Sequence, residues 1–157
     1  APLRETAREY FSAVTKLNQV LMKLTEAALD LPIGFFSECY ERPGTLLKLA
    51  YYPADGVLDI VDSDSGDPQQ RYGAHTDYDG FTILQRDSTD ACGEGGGGLE
   101  IQMWDTNAWT QVAAPRGTLT INIGDLMARW TNDRWRSTRH RVARAGKGAR
   151  DRLSIVY

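Results

Sequence analysis

The sequence predicts a mainly β protein: a double-stranded β-helix (jelly roll, cupin-like) core with N-terminal covering helices. Three observations carry that prediction. A 3.6-residue apolar period is confined to residues 3–29. Short, alternating apolar runs separated by Gly, Pro, Asn or Asp follow from residue 45 onward. No helical period alternates with those runs, which disfavours a parallel α/β arrangement.

Taken in order, Leu3, Ala7, Tyr10, Val14, Leu17, Leu21, Leu24 and Ala28 recur at spacings of three and four, so they stack on one helical face. Pro32 and Gly34 are expected to stop this helix, and a short second helix is expected over 35–40, before Arg42-Pro43-Gly44. Residues 1–44 are thus expected to form a helical covering segment and 45–157 the jelly-roll core. Strands are expected at 45–52, 71–76, 80–86, 99–104, 108–113, 118–123, 135–144 and 151–157. Between the first two, Asp55, Asp59, Asp62, Asp64 and Asp67 stand with Gly56, Gly66 and Pro68, which reads as a surface loop and a candidate lid. Glu94-Gly95-Gly96-Gly97-Gly98 reads as a flexible turn, because no following helix or Lys-Ser/Thr makes it a phosphate loop.

Composition narrows the function. The chain has 157 residues, 41% hydrophobic and 25% charged, enough to bury a core without staples. No run approaches the roughly 18 apolar residues of a membrane helix. A formal charge of -3 argues against nucleic acid as a partner. Arg129, Arg134, Arg136, Arg139, Arg141, Arg144, Lys147, Arg150 and Arg152 form a basic run, read as a solvated sheet face with one or two arginines turned inward. Cys39 and Cys92 are too few for a disulfide scaffold and read as free thiols in a reducing, cytoplasmic setting. Trp104, Trp109, Trp130 and Trp135 are expected in the core.

The chain has only two histidines, and their placement carries the chemistry. His75 and Asp77, two apart at a strand end, point to the same side and can offer one imidazole nitrogen and one carboxylate oxygen to a single ion. His140 lies on another expected strand. Two histidines and one carboxylate leave coordination positions open, as in a non-haem Fe(II) centre that activates oxygen. Tyr78 and Phe81, just after the pair, are candidates for the substrate pocket.

Further stretches resemble one family. Ala50-Tyr51-Tyr52-Pro53, Gly98-Leu99-Glu100-Ile101 with Trp104, the block from Ile121-Asn122-Ile123-Gly124-Asp125 to His140-Arg141-Val142, and Arg152-Leu153-Ser154 are all similar in order and spacing to the Fe(II)/2-oxoglutarate-dependent dioxygenases of the isopenicillin N synthase-like family. The resemblance covers roughly residues 30 to 157. It implies that His75, Asp77 and His140 are the iron ligands, and that Arg152 and Ser154, with Tyr52 as a further donor, bind 2-oxoglutarate. It also implies Fe(II) as cofactor, 2-oxoglutarate and O2 as cosubstrates, and ascorbate as a stimulant. The implied reaction couples oxidative decarboxylation of 2-oxoglutarate to hydroxylation or desaturation of a small organic substrate, by a monomer with neither nucleic-acid nor membrane partners. Asp77 disfavours halogenation, since the family's halogenating members lack that carboxylate. Ala50 departs from the Asn frequent in the family, and the 87–98 segment is longer than in many members. Ala1-Pro2-Leu3 and Leu153–Tyr157 read as interior sequence, so the chain is expected to be a core cut at both ends. The alternatives are an isopenicillin N synthase-type iron oxidase that uses no 2-oxoglutarate, and a non-catalytic metal-binding jelly-roll receptor.

Overall fold

The computed structural model describes residues 2–41, 43–53, 70–87, 98–143 and 150–157. The acidic loop at 54–67, Cys92, most of the glycine-rich turn, and Arg144 and Lys147 of the basic run lie outside these residues. Two compact units divide the chain, one running to Lys48 and including Tyr157, the other Leu49–Val156.

In the first unit, helix α1 spans Pro2–Ala28. It ends where Asp30 takes a left-handed conformation, φ 55°. There the Leu31 N–H donates to Glu26 O (2.9 Å) and the Asp30 N–H to Ala27 O (3.3 Å), so the last carbonyls are satisfied before Pro32 or Gly34 is reached. Residues 38–40 form a single 3-10 turn within the expected second helix. The buried face is rotated from the expected apolar stripe: Val14 and Met22 are buried, but so are Asn18, Thr25 and Glu26, while Leu3 and Leu24 are 69% and 60% exposed. The chain reversal after the helix accounts for Glu26. Its Oε2 accepts the Gly34 N–H at 2.9 Å and its Oε1 the Phe36 N–H at 3.0 Å. A buried carboxylate is tolerated when both oxygens are engaged.

These contacts, that of Phe36 above that of Gly34, hold the Glu26 carboxyl below its usual value of 4.5. Its contribution to stability is therefore complete above the ordinary carboxyl range and lost as pH falls through the depressed value. Glu26→Gln should lower the melting temperature at neutral pH and flatten its decline in acid. A thermal-melting series against pH measures both, and parallel curves for the two proteins would remove Glu26 from the acid response.

Eight strands are found among the described residues, all within the second unit except for the first residue of β1: β1 Lys48–Tyr52, β2 Gln70–His75, β3 Phe81–Arg86, β4 Leu99–Gln102, β5 Trp109–Gln111, β6 Thr120–Ile123, β7 His140–Ala143 and β8 Arg152–Val156. They form two four-stranded sheets, ordered β1-β8-β3-β6 and β2-β7-β4-β5. Thr82, Leu84 and Thr120 of one sheet and Leu99, Ile101 and His140 of the other line one cavity, so the two sheets face each other as in a jelly roll. Strand β3 runs antiparallel to both β6 and β8, and in the other sheet β2, β7, β4 and β5 are antiparallel each to the next. Ile83 on β3 is fully buried.

Two expectations change here. The expected strand at 135–144 shortens to His140–Ala143. A helix, α2 at Asp125–Trp130, stands in the family-like block where none was expected. The turn that follows it reaches Trp135: Asn132 and Asp133 are both left-handed, at φ 53° and 60°, the Asp133 N–H closes back on Ala128 O at 2.8 Å, and the Trp135 N–H on Thr131 Oγ1 at 3.1 Å. Six residues give too little periodicity to show in sequence.

Candidate metal centre

Strand register builds the centre. His75 pairs with His140 across β2 and β7, and Ile101 pairs with His140 across β4 and β7. The two imidazoles therefore share one face, with ring centroids 4.3 Å apart. Asp77 follows β2 on the connection to β3. Its Oδ1 lies 3.7 Å from His75 Nε2 and 3.6 Å from His140 Nε2. One ligand atom from each of the three lies within 4.8 Å of the others.

The backbone fixes which nitrogens point inward. His75 Nδ1 lies 2.8 Å from Gly73 O and His140 Nδ1 3.0 Å from Thr138 O. A carbonyl only accepts, so each neutral ring carries its proton on Nδ1 and turns the Nε2 lone pair toward Asp77. Two imidazole lone pairs and a carboxylate oxygen then converge with no donor between them. That donor set fits a divalent cation, and the carbonyl-bound Nδ1–H is the usual support for a metal-ligating histidine.

The connection bearing Asp77 is clamped to the start of α2. The Asp125 N–H donates to Asp77 O at 2.7 Å, the Leu126 N–H to Tyr78 O at 3.2 Å and the Gly124 N–H to Gly80 O at 3.0 Å. Gly124 is required by this approach: a Cβ there would lie 2.0 Å from Asp79 O. Thr76 Oγ1 adds a bond to Asp125 Oδ2 at 3.1 Å, and Asn122 Nδ2 donates to Asp77 Oδ2 at 2.6 Å. Nothing in the sequence singles out Asn122, Thr76 or Asp125 as site residues. Asn122 is 45 positions from Asp77 and Asp125 is 49 from Thr76, so no local spacing marks them.

Arg152 and Ser154 are each 4% exposed, two apart on β8 and so on the same side. The Arg152 guanidinium lies 4.5 Å over the Tyr52 ring, carried on the neighbouring strand β1. Burial pushes the Tyr52 phenol above 10.0, partly offset by the charge of Arg152, and Tyr72 is near enough to raise it further. Tyr72 in turn stacks edgewise on His75, with centroids 4.8 Å apart.

A cavity of about 270 Å³ adjoins Asp77 and His140, walled by Leu84, Leu99, Ile101 and Val112. A wider, open one of about 880 Å³ is lined by Tyr78, Trp104, Leu126 and Arg136. Tyr78, 85% exposed, stands at this second cavity, where a pocket residue would be. Phe81 does not line either cavity: it alternates with Thr82 and so shares the β3 face of Ile83. Trp104 and Trp130 are 57% and 40% exposed rather than core, with Arg136 stacked 5.1 Å over Trp104. Within the described part of the basic run, Arg152 is turned inward, and Arg141 pairs with Glu100 (2.7 Å) against the Trp109 ring.

The model of the 2OG-Fe(II) oxygenase superfamily matches residues 43–157. The chain is 35% identical over 158 residues to Validamycin A dioxygenase of Streptomyces hygroscopicus subsp. limoneus, covering 99% of this chain and 40% of that protein. It is 32% identical over 154 residues to the 2-oxoglutarate-Fe(II) type oxidoreductase hxnY of Emericella nidulans, covering 98% and 40%. Among solved structures, a full-length Neurospora crassa protein in complex with alpha-KG superposes with TM-score 0.80 at 27% identity, over 98% of this chain and 45% of that one. The chain therefore spans less than half the length of these relatives.

Proposed function

Because the chain belongs to the 2OG-Fe(II) oxygenase superfamily, we propose that it is the core of an Fe(II)- and 2-oxoglutarate-dependent dioxygenase acting on a small organic substrate. In this reading His75, Asp77 and His140 ligate Fe(II), and Arg152, Ser154 and Tyr52 bind the distal carboxylate of 2-oxoglutarate. The observation that carries it is the convergence of two Nε2 lone pairs and Asp77 Oδ1, in a chain that also buries Arg152.

Bound Fe(II) supplies the oxygen-activating chemistry that converts 2-oxoglutarate and O2 to succinate and carbon dioxide and oxidises a C–H bond of the second substrate. The chain's own residues position and shield. The carbonyls of Gly73 and Thr138 accept the Nδ1–H groups, which selects the tautomer whose Nε2 lone pair faces Asp77 and aims both rings. Arg152 offers a planar fork to a carboxylate, and Ser154 a hydroxyl on the same strand face. The apolar walls of Leu84, Leu99, Ile101 and Val112 exclude water beside the metal ligands. A relative named Validamycin A dioxygenase, and the Neurospora crassa protein solved with alpha-KG and thymine, make a small organic molecule the expected second substrate. We read the division into a helical segment over 1–44 and a core over 45–157, monomeric action, a cytoplasmic setting, and partners other than nucleic acid or membrane as parts of the same proposal.

The test is stoichiometric succinate and carbon dioxide release on incubation with Fe(II), 2-oxoglutarate, ascorbate and O2. Succinate that appears only with both the metal and the protein supports the reading. Oxygen consumption without succinate points instead to an oxidase that uses no 2-oxoglutarate.

A further inference from the structure

The two oxygens of Asp77 have separate duties. Oδ1 faces His75 Nε2 and His140 Nε2 at 3.7 and 3.6 Å, while Oδ2 accepts from Asn122 Nδ2 at 2.6 Å. We propose that Asn122 is a positioning residue that makes Asp77 a one-oxygen metal ligand. The proposal rests on reading His75, Asp77 and His140 as the metal site.

Asn122 sits in a rigid place for this task. It lies on β6 in register with Thr82 of β3 and lines the cavity that holds Asp77 and His140. Only its NH2 group can face a carboxylate oxygen, since its own carbonyl would oppose it. The backbone of Asp77 is held separately, by the Asp125 N–H to Asp77 O bond of 2.7 Å and the close packing of Gly124 on Asp79. The Asn122 amide therefore sets the rotation of the Asp77 carboxylate rather than the position of its chain. A carboxylate free to turn offers both oxygens to a cation, as carboxylates commonly do. On a six-coordinate ion that fourth protein donor takes a position needed by the two donor atoms of a chelating keto acid and by oxygen.

Mn(II) alone is a sufficient probe, because water-proton relaxation counts the exchangeable waters on the bound ion without any turnover. The unaltered chain should hold Mn(II) with about three waters, the remainder of an octahedral ion with three protein donors. Asn122→Leu, similar in size and lacking the donor, and Asn122→Ala, which also leaves space, should both bind Mn(II) with about two waters. Both should melt near the parent in the metal-free state. A water count unchanged in both variants, or changed only in Asn122→Ala, assigns Asn122 to packing and overturns the proposal. Failure of the unaltered chain to bind Mn(II) overturns the metal site itself, a distinguishable result.

Discussion

Asp77→Ala is expected to abolish Fe(II)-dependent succinate formation. Removing groups that merely orient a metal ligand already costs about 10–100-fold in affinity or activity, and removing the only anionic ligand should exceed about 100-fold. The two remaining donors are neutral imidazoles, so the positive charge of a divalent ion loses its only negative partner in the triad. The effect is local, because the backbone contacts of the 76–80 connection do not involve the carboxylate: Asp77 O, Tyr78 O and Gly80 O still receive the N–H groups of Asp125, Leu126 and Gly124. Metal titration together with succinate measurement checks this, and a variant that retains metal affinity within a few-fold would remove Asp77 from the site. The histidines should behave alike, with one difference. His140, at 13% side-chain exposure, is more enclosed than His75 at 35%, so solvent substitutes less readily for the lost ring in His140→Ala.

Arg152→Ala is expected to weaken 2-oxoglutarate binding more than any other single change outside the triad. Truncating one partner of a buried charge pair costs about 2–5 kcal/mol, or roughly 30-fold to several-thousand-fold in Kd. Arg152 is 4% exposed, so water replaces it poorly. Arg152→Lys should recover only part of the loss, since an ammonium lacks the planar fork and the stacking over Tyr52. Calorimetric titration of 2-oxoglutarate onto the metal-loaded protein, with metal affinity measured in parallel, separates this from damage to the triad. Tight 2-oxoglutarate binding by Arg152→Ala would exclude Arg152 as the anchor.

Much of the fold is legible in the residues alone. Strands of four to six residues with period-2 alternation are local features. All the expected strands except 135–144 reappear within a few residues of their bounds, among them 80–86 as Phe81–Arg86 and 151–157 as Arg152–Val156. The His75-x-Asp77 pair needs only the geometry of a strand end. The misplaced features have physical causes. The apolar stripe of α1 puts Leu24 inside and leaves Glu26 out, because helical periodicity cannot foresee a returning chain whose N–H groups at Gly34 and Phe36 draw a carboxylate inward. The shortened β7 reflects a turn that reaches into the expected strand, where the Arg134 and Trp135 N–H groups close back on Thr131 O and Oγ1, bonds that alternation of side chains does not reveal.

Fold class, the three candidate ligands and the Arg-x-Ser follow from sequence, because each is a property of neighbouring residues or of a spaced motif. How those ligands are arranged is a matter of tertiary contact. Register across β2, β7 and β4 puts two imidazoles 4.3 Å apart. Two backbone carbonyls choose the nitrogen each one presents, and Asn122, 45 positions from Asp77, takes one carboxylate oxygen and leaves the other facing the imidazoles. Hydrogen bonds between distant strands depend on where the chain returns, and no residue's neighbours in sequence contain that information.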